Sequence, residues 1–144
     1  QSIDGNPQQL MRRFQENPES VLLGTSSFWE GVDFTGNILK SLVLTRLPFQ
    51  VPTDPIVKAR SDQYPEAFQQ YSVPQAVLKF RQGIGRLIRN KEDKGAIVVL
   101  DKRITGRSYG QAFLRSIPPC NLQPSTQATV GTLAARWIRD SNAV

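Results

Sequence analysis

The chain has 144 residues, 39% of them hydrophobic and 21% charged, a length and balance that suit one soluble globular domain with its own core. It has no histidine and a single cysteine, Cys120, which excludes Ser/His/Asp and Cys/His catalysis, an internal disulfide and any cysteine-based zinc or iron–sulfur site. A net charge of +6 and a pI near 9.9 point to a polyanionic partner, nucleic acid or nucleotide phosphates.

No apolar run reaches transmembrane length and no charged start leads into an apolar core, so a cytoplasmic protein without membrane contact is expected. Residues 7–16 read as a helix, with Leu10, Phe14 and Met11 as a short apolar stripe and Asn17-Pro18 as its stop. Val21-Leu22-Leu23, Leu42-Val43-Leu44 and Ile97-Val98-Val99-Leu100 are continuous apolar runs ending at Gly24, Pro48 and Asp101. Runs of this kind suit strands buried on both faces of a parallel sheet. The segments between them have helical pattern, and the alternation argues for an α/β layer fold. Residues 59–71 read as a helix broken near Pro65, 108–116 as a helix closed by Pro118-Pro119, and 126–140 as a packing helix. In the last of these Val130, Leu133, Ala134, Trp137 and Ile138 fall at helical spacing.

Residues 74–89 are the centre of the reading. Pro74 suits a first helical turn. At roughly 100° per residue Val77, Phe80, Ile84, Leu87 and Ile88 share one side, while Lys79, Gln82, Arg86 and Arg89 lie opposite. One face suits a core; the other offers two guanidiniums and an amide to a partner, or is a basic surface. Gly83 and Gly85 interrupt this helix at about 1 kcal/mol each relative to Ala, which calls for a packing or functional reason. In α/β sheets ligands bind at the carboxyl ends of strands. The ends here are Gly24-Thr25-Ser26-Ser27, Thr45-Arg46 and Asp101-Lys102-Arg103. Taken together beside the Arg86/Arg89 helix, they predict a basic, hydroxyl-rich rim.

Two of these stretches carry a resemblance. Gly24-Thr25-Ser26-Ser27-Phe28-Trp29-Glu30-Gly31-Val32-Asp33-Phe34-Thr35-Gly36 closely resembles helicase motif V of the DinG/XPD-like branch of superfamily-two helicases. Gln82-Gly83-Ile84-Gly85-Arg86-Leu87-Ile88-Arg89 is similar to that branch's motif VI, Q-x-x-G-R-x-x-R. Leu47-Pro48-Phe49, Asp54-Pro55 and Asp101-Lys102-Arg103 match its linking segments, and the similarity, greatest to bacterial DinG-type proteins, runs from about Gln1 to Pro119.

The resemblance implies a RecA-like (P-loop NTPase-type) α/β fold, a parallel sheet flanked by helices. It implies the second, C-terminal lobe over residues 1–119, lacking its first strand and helix, with 120–144 as a helical extension packed on it. ATP would lie between two lobes. By the same resemblance Arg89 is the main arginine finger, Arg86 stands beside it and Gln82 senses the phosphate. Glu30, Gly31 and Asp33 approach the nucleotide, and Thr25, Ser26 and Arg46 meet single-stranded DNA. No G-x-x-x-x-G-K-[ST] is present and the acidic box for magnesium is missing. ATP with magnesium is therefore expected mainly on a first lobe, in another chain or another part of the same protein. The family's iron–sulfur cysteines belong to that lobe, and no metal site is assigned here. A bacterial protein of this kind would be nucleoid-associated. Without histidine or a third ligand, Glu30 and Asp33 make a poor hydrolytic or metal pair of their own. Phe28 and Trp29 read as core packing or as base-stacking residues. A passive nucleic-acid-binding module and a non-catalytic remnant stand as alternatives to the helicase lobe. Motif VI favours the lobe, because passive binding asks for basic charge but not for this pattern.

Overall fold

The computed structural model describes residues 6–17, 19–25, 38–90 and 92–141. It begins with helix α1 (Pro7–Glu16). The Asn6 side chain accepts the Gln9 N–H at 2.9 Å while the Gln9 side chain accepts the Asn6 N–H at 3.3 Å. This reciprocal box satisfies two of the N–H groups a helix start leaves over, with Pro7 at the first position. Met11 is buried among Leu10, Phe14, Leu22 and Leu39 in a small cluster of its own.

The expected strand near Val21 does not form among the described residues. Leu22 turns to the Met11 cluster, while Val21 and Leu23 are 83% and 84% exposed. An apolar run becomes a strand only where a neighbouring strand offers a ladder, which hydrophobicity alone does not specify.

The other two runs do pair. Strands β1 (Ser41–Leu44) and β2 (Ala96–Val99) are parallel, with Leu42 opposite Ile97 and Leu44 opposite Val99. Backbone bonds from Ala96 N–H to the Lys40 carbonyl and from Leu100 N–H to the Leu44 carbonyl continue the ladder at either end. Successive side chains alternate across a sheet, so Leu42, Leu44, Ile97 and Val99 share one face. That face meets the main core of Leu47, Ala76, Phe80, Ile84, Ile104 and Phe113. Val43, on the other face, is 54% exposed.

A parallel pair needs a long crossover, and here it is helical. Helix α2 (Pro55–Ser61) starts where the Asp54 carboxylate accepts the N–H groups of Ile56 and Val57. The expected break falls at 62–66. The chain then re-enters helix through a π-helical segment (Phe68–Ser72) that runs straight into α3 (Val73–Ile84). The widened turn directly precedes Pro74. Proline has no N–H for the carbonyl four residues back, and its ring crowds that carbonyl in a regular α turn.

After β2 come a single turn α4 (Arg103–Gly106) and helix α5 (Gly110–Ser116). Phe113 of α5 meets Phe80 of α3 edge-on, with ring centroids 5.3 Å apart. Phe49 and Tyr109 extend the aromatic cluster, edge-on at 5.6 Å. Helix α6 (Val130–Ser141) runs beside β2. Its expected apolar stripe is only partly covered, Trp137 being 49% exposed. No described helix is long and apolar enough to cross a membrane.

Candidate functional site

Helix α3 carries Gln82 on its exposed side, while Phe80 and Ile84 are 1% exposed in the core. The two-faced helix expected from periodicity is therefore present, but it ends earlier than residue 89. Regular α-helix stops at Ile84. The chain winds on through a turn in which Arg86 N–H bonds the Gly83 carbonyl and Ile88 N–H bonds the Ile84 carbonyl. Arg86 is half-buried in that turn and Arg89, exposed, lies just beyond it, so the two do not sit one above the other on a regular helix. Gly83 is buried. At Gly85, among the described residues, an added Cβ would meet only the Arg81 and Gln82 carbonyl oxygens, at 3.4 and 3.5 Å. Packing on those atoms does not demand glycine there.

A side chain holds the loop that follows. The Asp93 carboxylate accepts the N–H groups of Arg89 at 2.7 Å and of Asn90 at 3.0 Å. In return the Asn90 side-chain oxygen accepts the N–H groups of Glu92 and Asp93, at 2.9 and 3.0 Å. The two backbone bonds, Arg89's first, hold the Asp93 carboxyl below the usual carboxylate range, and the nearby Arg89 charge acts in the same direction. Leu87, 6% exposed, closes the neck of this loop against Gly95. A Cβ at Gly95 would stand 2.7 Å from Leu87 Cδ1 and 2.9 Å from its Cγ. The expectations from sequence do not include this loop; its signal is an Asn and an Asp three apart just past a helix, both able to take backbone N–H groups.

The strand ends form a second centre. Asp101, 9% exposed, follows β2. Its Oδ2 accepts the buried Leu47 N–H at 2.9 Å across 54 residues of sequence. The Arg103 guanidinium donates to the same carboxylate through Nε, at 2.9 and 3.0 Å, and through Nη2 at 2.6 Å. The Arg103 N–H adds a bond to Oδ1 at 3.1 Å. Led by the Arg103 hydrogen bonds, and against the opposing effect of burial, these contacts hold the Asp101 carboxyl far below its ordinary range; the same pair raises the Arg103 guanidinium. Arg103 also lies over the Phe49 ring, 5.4 Å from its centroid. Arg103, partly exposed, is thus engaged by Asp101 and Phe49 within the protein. Thr45 and Arg46, immediately before the tethered Leu47, are exposed, as is Thr25.

The single rim expected from the sequence separates into two ends. Leu87 touches Gly95, the residue before β2, so Arg86 and Arg89 lie at the amino-terminal end of that strand. Arg46 and Asp101 lie at the carboxyl-terminal ends, joined by the Leu47–Asp101 bond. Gly95 and Asp101 are six steps apart along extended chain, roughly 20 Å. Of the other candidate residues, Ser26, Glu30, Gly31 and Asp33, with Phe28 and Trp29, lie outside the described residues.

Parallel strands joined by a helical crossover and covered by helices, with an arginine-bearing turn leading into the second strand, define an α/β fold consistent with a RecA-like helicase lobe. The helicase C-terminal domain family matches residues 1–120, and the chain belongs to it. It is 42% identical over 135 residues to the Bacillus subtilis protein named 3'-5' exonuclease DinG, an alignment covering 91% of this chain and 14% of that protein. It is 42% identical over 115 residues to the ATP-dependent DNA helicase YoaA of Escherichia coli, covering 77% and 18%. With the ATP-dependent DNA helicase DinG of Photobacterium profundum it shares 47% identity over 104 residues, covering 69% and 15%. The chain thus spans between about one seventh and one fifth of the length of these relatives.

Proposed function

We propose that this chain works as the C-terminal lobe of an ATP-dependent DNA helicase, supplying arginine fingers to ATP bound between it and a first lobe. The observation that carries the reading is the Gln82, Arg86, Arg89 series at the end of α3, inside a stretch matched by the helicase C-terminal domain family. Phosphoryl transfer passes through a loose transition state with charge spread over the phosphoryl oxygens, and a guanidinium placed there stabilises it. Arg89 is assigned the main role, with Arg86 beside it and Gln82 contacting the phosphate. Glu30, Gly31 and Asp33 are assigned to the nucleotide. ATP with magnesium is held mainly by the first lobe, which also carries any iron–sulfur cluster.

Thr25, Ser26 and Arg46 are assigned to the backbone of single-stranded DNA, where hydroxyls and cations position a strand without reading its sequence. Residues 1–119 form the lobe proper and 120–144 a helical extension on it. A protein that works in this way is cytoplasmic and, in a bacterium, nucleoid-associated.

The test is steady-state ATP hydrolysis with saturating single-stranded DNA, in an assembly of this chain with an ATP-binding lobe. Arg89→Ala is expected to remove most turnover, on the order of the 10³–10⁵ that arginine fingers contribute in GTPases. Arg89 is exposed, so its truncation opens no core cavity and the thermal melt should hold. Arg89→Lys should restore little, because an ammonium lacks the planar fork. Near-normal turnover in Arg89→Ala with an unchanged melt refutes the assignment.

A further inference from the structure

We propose that Asp93 is a positioning residue for Arg89, holding the backbone from which that guanidinium reaches the transferring phosphate; the inference rests on the reading of Arg89 as the arginine finger. Arg89 stands past the end of α3, so the helix ladder does not fix its direction. Two other devices do. One Asp93 oxygen grips the N–H groups of Arg89 and Asn90 together, and the Asn90 side chain grips those of Glu92 and Asp93. Each side chain thus closes on the backbone that carries the other, and the loop becomes a ring of four bonds with Arg89 at its start. The second device is the neck, where buried Leu87 lies so close to Gly95 that a Cβ there would force the Leu87 side chain to shift. The ring and the neck hold the loop at different points, one by hydrogen bonds and one by contact.

This matters for a residue that acts only at the transition state. A long cationic side chain on a loose loop must be ordered at the moment of reaction, at an entropic cost. A displacement of about 1 Å is enough to lose roughly 10²-fold in rate. A backbone locked in advance leaves only the side-chain torsions to settle.

The experiment compares Arg89→Ala, Asp93→Ala, Asp93→Asn and the Arg89→Ala/Asp93→Ala double variant in the assembly with an ATP-binding lobe and saturating single-stranded DNA. Asp93→Ala should lower kcat about 10- to 100-fold with KM for ATP within about threefold, the pattern of a contact made only in the transition state. Asp93→Asn keeps a side-chain oxygen for the two N–H groups and should stay within a few-fold of the parent. The double variant should be no slower than Arg89→Ala, because a residue that acts through another adds nothing once that other is gone. In the chain alone, amide exchange at Arg89 and Asn90 should quicken in Asp93→Ala while that of Phe80 and Ile84 stays slow.

Full activity in Asp93→Ala beside a crippled Arg89→Ala overturns this inference and leaves the arginine finger standing. A double variant clearly slower than Arg89→Ala also overturns it, since Asp93 would then act on its own. So does a collapse of the melt in Asp93→Ala, since the loop would then be holding the fold. Full activity in Arg89→Ala overturns the finger and this inference with it.

Discussion

Replacing Asp101 by Asn tests the joint between the two strand ends. The carboxylate accepts from Leu47 N–H, from Arg103 N–H and from two nitrogens of the Arg103 guanidinium. An Asn has one oxygen where Asp has two, so one of these donors must face an NH₂ group. The Arg103 side chain is 40% exposed, so water recovers much of its interaction and the ion pair itself contributes no more than about 1 kcal/mol. The Leu47 N–H is buried. Its bond to a charged acceptor is worth about 1.5–3 kcal/mol, against about 0.5–1.5 kcal/mol for a bond to the neutral amide oxygen that Asn can place at the Oδ2 position. The loss is the ion pair together with the charge on the Leu47 acceptor, so the expected destabilisation of Asp101→Asn is about 1–3 kcal/mol. Urea unfolding measures it: the midpoint should fall with the slope unchanged. Arg103→Met, which keeps the Leu47 bond, should cost less than Asp101→Asn.

The pH dependence has a definite sign. The folded carboxyl is held below its unfolded value. Its contribution is therefore present in full above the unfolded carboxylate range, near 3.9, and is lost as pH falls through the lower folded value. The gap between parent and Asp101→Asn should be constant near neutrality and narrow below about pH 4. A cost under about 0.5 kcal/mol, the level of an ordinary surface substitution, or a gap that widens in acid, refutes the reasoning.

Gly95→Ala should destabilise the fold by about 1–3 kcal/mol, the range for overpacking, because the new Cβ meets Leu87 Cδ1 at 2.7 Å and its Cγ at 2.9 Å. Adding Leu87→Ala should recover part of that loss in a urea double-mutant cycle, and strict additivity would refute the contact. In single-stranded DNA binding, Arg46→Ala should flatten the dependence of log K on log salt by about 0.7, the slope of one phosphate contact. An unchanged slope in a fluorescence titration removes Arg46 from the interface.

The features that local sequence settled are those whose cause lies within a few residues. Helix α1 begins and ends as expected because Asn6, Gln9 and Asn17 act on backbone three or four positions away. The core face of α3 follows from the period of Phe80 and Ile84. Both surviving strands were legible because each is an apolar run that finds a partner. The family was legible too, because motif VI keeps its residues at fixed spacing whatever the surroundings.

Three things needed the tertiary structure. Val21-Leu22-Leu23 looks like a strand, but a strand is a relation between segments, and here only Leu22 turns inward. Regular helix gives way where Arg86 N–H turns to the Gly83 carbonyl, and the chain beyond is held where Asp93 reaches back to Arg89; a helix pattern carries no term for a later side chain that captures backbone N–H groups. Arg103 looks like free positive charge in the sequence. It is held by Asp101, which also holds Leu47 from 54 positions away. Composition counts charges without pairing them, and only the folded chain decides which cations are paired and which end of the sheet the others occupy.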